Sequence, residues 1–248
     1  MSAAITQEIG SLRCHCLGSD APEQVVVISH GYGAPGDDLV PVGAMMLRRF
    51  PQLMETTRFV FPEAPLSLDL FGFYDARAWW HIDVGRYERA MSDGTLEEQL
   101  DELPEGLGEA RRKLHHVVDT VLQQAGLGTD RLVLAGFSQG AMLATDLSLR
   151  LDESPAALGI FSGFPICKSE WITLAERRKG LRVLQSHGTR DPILPFSIAS
   201  TLPGLLEESG LTVDFQPFDG PHTIPASVVD SFGTLLCSLL PSDDKGSS

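Results

Sequence analysis

The 248-residue sequence lacks any long apolar run, and no window approaches the roughly 18 apolar residues that a membrane-spanning helix needs. Residues 1–8 carry neither the basic cluster nor the apolar stretch of a secretory signal, so we expect a cytoplasmic protein. Basic side chains are also scarce, with 19 Lys and Arg against 33 Asp and Glu and a formal net charge of −14. Phosphate backbones and anionic bilayers repel such a chain. We therefore expect no nucleic-acid partner and no stable membrane insertion.

Cysteine is rare as well, with four residues and no CxxC pair. A reducing compartment keeps such cysteines as thiols. The triplet Cys14-His15-Cys16 resembles a metal-binding pattern. Alternation along a strand, however, points the two thiols to one face and the imidazole to the other. We therefore interpret these cysteines as buried small apolar residues and expect no metal.

The overall composition is typical of a globular protein, because 43% of the residues are hydrophobic, with 24 Gly and 16 Pro. Short, nearly continuous apolar runs alternate with stretches whose apolar residues recur every three or four positions. The runs predict strands at 25–28, 59–61, 132–134, 158–161, 181–184 and 213–218. The stretches predict helices at 39–50, 106–125, 139–152, 197–209 and 224–239. Because such runs are typical of strands covered on both faces, we predict an α/β fold with a mainly parallel central sheet in three layers.

One segment departs from this alternation. Residues 62–103 are too long for an ordinary strand-to-helix connection and hold a cluster of aromatic residues. Two interpretations of Phe71, Trp79 and Trp80 stay open: core packing under a long loop, or the wall or lid of a substrate pocket. We predict a single domain over 1–241 that includes this segment, followed by a polar tail at 242–248.

The most informative motif is Gly136-x-Ser138-x-Gly140, because it stands between an apolar strand and a helix-like stretch. This context is typical of a nucleophile elbow, in which glycines allow a sharp turn and the serine projects from the sheet edge. Ser138 is therefore the candidate nucleophile. The backbone N–H of Gln139, at the helix start, is a candidate oxyanion donor.

A serine nucleophile needs a general base and an acid to orient it. Hydrolases with this elbow supply them downstream in the order acid, then histidine. Asp191 follows the strand at 181–184, and His222 follows the strand at 213–218, so both belong at the carboxyl edge of the sheet. His187 is the alternative base, but its position favours a structural role. Asp214 and Asp219, which are nearer to His222 in sequence, are the alternative acids.

The segment Ser29-His30-Gly31-Tyr32-Gly33 follows the strand at 25–28 and has an HGxG pattern. That pattern turns a backbone N–H toward the nucleophile in hydrolases of this kind, which makes Tyr32 N–H the second candidate oxyanion donor. We interpret His30 as a hydrogen-bonded structural residue.

Taken together, these motifs resemble the phospholipase/carboxylesterase family of α/β-hydrolases, which includes bacterial carboxylesterases and acyl-protein thioesterases. The resemblance covers roughly residues 25–240. It rests on segments in family order: 29–33, Arg77-Ala-Trp-Trp80, 136–140, His187-Gly-Thr-Arg-Asp-Pro192 and Gly220-Pro-His222. It implies Ser138 as nucleophile, Asp191 as acid and His222 as base, with Tyr32 and Gln139 as oxyanion donors. Members of the family act on esters, lysophospholipids or S-acylated proteins.

We therefore predict a serine hydrolase that cleaves carboxylic esters, with thioesters and lysophospholipids as alternative substrates. Its partner is a small ester or an acylated substrate, no metal or organic cofactor is needed, and no oligomeric state is predicted. Two alternatives remain: a peptidase or depolymerase on the same fold, and a binding protein that has kept the fold without catalysis. An intact nucleophile, acid and base argue against the second alternative.

Overall fold

A computed structural model of the chain describes residues 4–69, 72 and 74–241. Its centre is an eight-stranded sheet with the order β1-β2-β4-β3-β7-β8-β9-β10. The first two strands run antiparallel to their neighbours, and the other six are mutually parallel. The strands are β1 Ile5–Ile9, β2 Leu12–Gly18, β3 Gln24–Ser29, β4 Thr57–Pro62, β5 Leu66–Ser67, β6 Arg77–Ala78, β7 Leu132–Phe137, β8 Ala157–Phe161, β9 Arg182–Gly188 and β10 Thr212–Phe218.

The helices cover both faces of this sheet. They are α1 Val40–Arg49, α2 Leu53–Thr56, α3 Val84–Asp93, α4 Leu107–Ala125, α5 Gln139–Arg150, α6 Lys168–Ala175, α7 Phe196–Ala199, α8 Leu202–Glu208 and α9 Ala226–Leu239. Alternate side chains of β3 enter two separate apolar clusters. Val25 and Val27 pack with α4 and α5 on one face, whereas Val26 and Ile28 pack with α1 and α9 on the other. The predicted three-layer α/β architecture is confirmed.

The helix predicted at 197–209 is wrong as a single helix, because α7 ends at Ala199 and α8 begins at Leu202. Pro203 stands in the first turn of α8. Proline is accepted in a first turn but disrupts a helix interior, since it has no N–H and its ring collides with the preceding turn. The break therefore follows from Pro203.

Residues 62–103 contain regular structure and are not one long loop. Strands β5 and β6 pair as a small antiparallel hairpin, and α3 follows it. A 3₁₀ helix then spans Leu96–Gln99. Phe71 lies outside the residues that the structure describes, as does the polar tail at 242–248.

The Cys14-His15-Cys16 triplet lies on β2, and its alternation is confirmed. Both cysteine side chains are buried, and burial raises the pKa of each thiol. The His15 ring points away from them, with Nδ1 3.0 Å from Thr6 Oγ1 and Nε2 2.9 Å from Glu63 Oε1. Burial and a raised pKa make both thiols poor nucleophiles.

Across the described ranges, no helix is both long and apolar enough to cross a membrane.

Candidate active site

Ser138 occupies a sharp turn between β7 and α5. Its φ of 55° lies in the left-handed region, and its backbone N–H donates to Phe161 O on β8 at 2.9 Å. A Cβ atom at Gly140 would lie 2.1 Å from Ser29 O, and one at Gly136 would lie 2.2 Å from Gly140 C. Only glycine permits this close approach of backbones. The turn leaves the Ser138 side chain half-buried at the carboxyl edge of the sheet.

His222 and Asp191 form a short hydrogen bond, with His222 Nδ1 2.6 Å from Asp191 Oδ2. The Asp191 side chain is completely buried, and its Oδ1 accepts the backbone N–H groups of Ile193 at 2.8 Å and Leu194 at 2.9 Å. Burial alone would raise the pKa of Asp191. Hydrogen bonds from His187, His222 and these two N–H groups outweigh it and hold the pKa well below its usual range. Asp191 is therefore a carboxylate at neutral pH.

The loops that carry Asp191 and His222 lie against each other. Thr189 N–H donates to Phe218 O at 2.8 Å, and Arg190 N–H donates to Gly220 O at 3.1 Å. The Phe137 ring, which directly precedes Ser138, packs on the His222 imidazole with ring centroids 4.6 Å apart. The ends of β7, β9 and β10 thus bring the predicted nucleophile, acid and base to one edge of the sheet.

The alternative acids are engaged elsewhere. Asp219 Oδ1 lies 2.7 Å from Arg190 Nε in an exposed ion pair. Asp214 Oδ2 accepts from the Gln216 side chain at 2.8 Å. Neither carboxylate meets His222 in the described structure, so Asp191 is the one of the three candidates that contacts it.

One candidate oxyanion donor, Tyr32, lies in the loop after β3, and the other, Gln139, is the first residue of α5 in the elbow itself. Gly31 packs so closely that a Cβ atom there would lie 3.2 Å from Ser138 Cβ. The next two turn residues differ in their backbone hydrogen bonding. Gly33 N–H donates to Arg77 O at 2.8 Å, whereas Tyr32 N–H has no acceptor within the described ranges. Gln139 begins α5, where backbone N–H groups have no acceptor inside the helix.

His30 is a buried structural residue, as its sequence context indicated. Its Nδ1 lies 2.8 Å from Gly31 O and its Nε2 accepts from Ala64 N–H at 3.0 Å, so the neutral ring bridges two loops. Burial lowers the pKa of His30 to about 4. The Trp79 indole N–H donates to His30 O at 2.9 Å. These contacts fix the loop that carries Tyr32.

Trp79 and Trp80 belong to the core of the molecule. They are only 1% and 3% exposed and join the apolar cluster formed with α4 and α5. The Gln139 side chain holds their backbone, since its Oε1 accepts from Trp79 N–H at 2.9 Å and its Nε2 donates to Trp80 O at 2.8 Å. Of the two interpretations of these indoles, the structure supports core packing and not a pocket wall, because the indoles have almost no surface to offer a substrate.

Tyr87 is a residue near the site that the sequence patterns did not indicate. It lies on α3, and its hydroxyl donates to Ile193 O at 2.8 Å, in the loop that also carries Asp191. Burial and the nearby Asp191 charge raise the pKa of Tyr87, which keeps it a hydrogen-bond donor. Tyr87 and Ile193 are 106 positions apart in sequence, so no local pattern reveals this contact.

The arrangement suits proton transfer at a serine hydroxyl. Because His222 Nδ1 is hydrogen-bonded to Asp191, Nε2 is the nitrogen left to exchange a proton. The buried carboxylate stabilises the imidazolium that this exchange produces. The N-terminus of α5 adds partial positive charge beside Ser138, where a tetrahedral oxyanion would develop.

Several known proteins are similar to this chain. An acyl-protein thioesterase 1 from Kluyveromyces lactis is 31% identical over 184 residues, covering 72% of this chain and 74% of that protein. The Neurospora crassa acyl-protein thioesterase 1 is 24% identical over 222 residues, covering 87% and 86% respectively.

Solved structures share the same architecture. Esterase PE8 superimposes with a TM-score of 0.74 at 27% identity, covering 91% of this chain and 97% of its own. A carboxylesterase from Mesorhizobium loti gives a TM-score of 0.72 at 17% identity, covering 95% and 99%, and shows the fold alone. The sequence profile of the Phospholipase/Carboxylesterase family matches residues 16–236, from β2 to α9. The chain belongs to this family and has the α/β-hydrolase fold.

Proposed function

We propose that this chain is a serine hydrolase that cleaves carboxylic esters and thioesters through an acyl-serine intermediate. His222 Nε2 takes the Ser138 hydroxyl proton while Ser138 Oγ bonds to the substrate carbonyl carbon. The tetrahedral intermediate then expels the alcohol or thiol, which receives that proton from His222. Water attacks the acyl-serine in the same way, and the carboxylic acid leaves.

The observation that carries this proposal is the 2.6 Å contact between His222 Nδ1 and a fully buried Asp191 carboxylate, with the His222 ring packed on Phe137, the residue before Ser138 on its strained elbow. An ion-paired histidine alone is common in structural networks. A buried carboxylate that orients a histidine beside the φ 55° serine has a specific chemical use, because it fixes the tautomer that the base needs.

The oxyanion is assigned to two backbone donors, Tyr32 N–H and Gln139 N–H. Both are backbone groups, so the chain supplies them without a dedicated side-chain donor. The hydrogen bonds of Gly33 to Arg77 and of the Gln139 side chain to Trp79 and Trp80 hold the two donors in place. Preorganised donors of this kind need little rearrangement as charge develops.

The substrate class extends to thioesters because relatives of this chain are named acyl-protein thioesterases. We propose a small ester or an acylated molecule as substrate and the cytoplasm as location. The residues of the proposed mechanism supply nucleophile, base and electrostatic stabilisation, so the steps above involve no metal or organic cofactor.

Three model substrates separate the candidate activities: p-nitrophenyl acetate, an S-acyl cysteine peptide and a peptide p-nitroanilide. We expect the purified chain to hydrolyse the first two and leave the anilide intact. Ser138→Ala should abolish both activities, whereas Ala in place of the exposed Ser197 should retain them. Hydrolysis of the anilide alone would instead indicate a peptidase, and no turnover of any substrate would indicate a binding protein.

A further inference from the structure

A second histidine reaches the same carboxylate oxygen as His222. His187 is the penultimate residue of β9, and its side chain is completely buried. Its Nε2 lies 2.8 Å from Leu194 O and 3.2 Å from Asp191 Oδ2. Asp191 Oδ2 therefore lies between two imidazoles, with His222 Nδ1 at 2.6 Å.

The partners of His187 define where its proton resides. A backbone carbonyl and a carboxylate can only accept hydrogen bonds, so Nε2 carries the proton and shares it between Leu194 O and Asp191 Oδ2. Its Nδ1 is buried and has no hydrogen-bond partner within the described part of the chain. The ring is thus held through the edge that faces Asp191.

We propose that His187 is a positioning residue, whose Nε2–H holds Asp191 Oδ2 in place and limits the negative charge that this oxygen presents to His222. The inference rests on the proposed function, because it concerns how the base of that mechanism is adjusted. Asp191 Oδ1 is occupied by the N–H groups of Ile193 and Leu194. Across the described ranges, His187 and His222 are the side chains that meet Oδ2.

Removal of the His187 donor has a defined electrostatic consequence. Asp191 Oδ2 would then concentrate its charge on the hydrogen bond to His222 and stabilise the protonated form of that imidazole. The enzyme would need a higher pH to obtain the free base. The protonated His222 would also release its proton to the leaving group less readily, which lowers kcat.

Other ionisable groups near Asp191 and His222 would not move the acid limb of the pH profile in the same way. Tyr87 faces Asp191 from α3, and its pKa is raised, while the pKa of Asp191 is lowered. Neither therefore changes charge between pH 5 and 9. Arg190 and Asp219 pair with each other at the surface. Uncharged aromatic rings also pack against the two imidazoles, Phe137 against His222 and Phe196 against His187.

The test compares His187→Leu, which removes the donor, with His187→Gln, whose amide nitrogen can occupy the place of Nε2 and donate to both acceptors. Gln185→Leu is the matched control. Gln185 is buried two positions earlier on the same strand, and its side-chain amide donates to Ala199 O at 2.9 Å, away from Asp191. This control removes a buried hydrogen bond without changing the carboxylate.

For His187→Leu we expect the acid limb of kcat/KM to move upward by about 0.5–1 pH unit and kcat to fall roughly tenfold or more, with KM little changed. His187→Gln should keep the wild-type limb and most of kcat. Gln185→Leu should lose stability and keep the limb. A limb unchanged in His187→Leu, or moved equally in His187→Gln and Gln185→Leu, overturns the proposal.

A measurement on the wild-type protein does not depend on any variant folding. Histidine ring ¹⁵N shifts at pH 8 should show His187 with a protonated Nε2 and a bare Nδ1. The opposite tautomer would overturn the proposal, whatever the activity. Failure of the proposed function is seen separately, as ester hydrolysis that persists in Ser138→Ala.

Discussion

At the residue scale, one buried carboxylate, that of Asp191, receives hydrogen bonds from two backbone N–H groups of its own loop and from two histidines. Asp191 connects the loops that follow β9 and β10. Its Oδ2 contacts His222, and its Oδ1 accepts two N–H groups of its own loop. The position of Asp191 after a strand was predictable, because parallel strands place their following loops at one edge. Its contact with His187 was not, because two residues four positions apart meet here only through the turn at Gly188.

Replacement of the carboxylate by its amide tests the role of Asp191. Asp191→Asn should lower kcat by roughly 10²-fold or more while the protein stays folded, because an amide favours the wrong tautomer of His222. Asp219→Asn is the matched control on the neighbouring loop. It breaks an exposed ion pair with Arg190 and should lose less than about tenfold. Steady-state kinetics with p-nitrophenyl acetate measure both. A severe loss in Asp219→Asn with a mild one in Asp191→Asn would assign the acid to Asp219.

At the element scale, the strand-to-helix turn between β7 and α5 determines where Ser138 stands. The central strands were predictable because burial on both faces produces continuous apolar runs, as in β3. Strand β1 has no such run because it is largely exposed and lies at the sheet edge. Strand β2 was indicated only by the alternation of Cys14, His15 and Cys16. Helix α3 was not predicted, because Ala90 is its one buried residue and the helix therefore shows little apolar periodicity.

Alanine in place of an elbow glycine tests this turn. A Cβ atom at Gly140 would lie 2.1 Å from Ser29 O, so Gly140→Ala must displace backbone and should destabilise the fold by about 2 kcal/mol or more. Gly204→Ala is the matched control in α8, where a Cβ atom would meet nothing within 4 Å. It should stabilise the protein by about 0.5–1 kcal/mol. Urea denaturation measures both changes. Equal stabilities for the two variants would mean that the elbow is not packed in this way.

At the scale of the whole molecule, the sheet assembles the site from residues distributed between Ser29 and His222. The order of motifs along the chain, with one after each of β3, β7, β9 and β10, allowed the edge that carries the candidate site to be predicted. The structure of the 62–103 segment could not be predicted in the same way. Tryptophan occurs both in pocket walls and in protein cores, so the sequence did not decide the role of Trp79 and Trp80. Their packing on α4 and α5 in the structure decides it.

The buried His30 couples the stability of the whole fold to pH. Its pKa is lowered from 6.5 to about 4, so the unfolded chain binds more protons than the native protein between these values. The free energy of unfolding that neutral His30 contributes is about 3 kcal/mol. It is fully present above pH 6.5 and is lost as the pH falls through 4. His30→Gln should therefore show a weaker decline of unfolding free energy between pH 7 and 4. His115→Gln, at an exposed position, should decline like wild type. Parallel declines in all three proteins would exclude His30 as the source.

The most direct test of the molecule's proposed chemistry is covalent labelling of the nucleophile. A fluorophosphonate forms a stable phosphonyl ester only with an activated serine, and intact mass followed by peptide mapping locates it. We predict one adduct per chain, on Ser138, which is absent from Ser138→Ala and retained in Ser197→Ala. An unlabelled wild-type protein, or an adduct on another serine that persists in Ser138→Ala, would contradict the assignment of Ser138 as nucleophile.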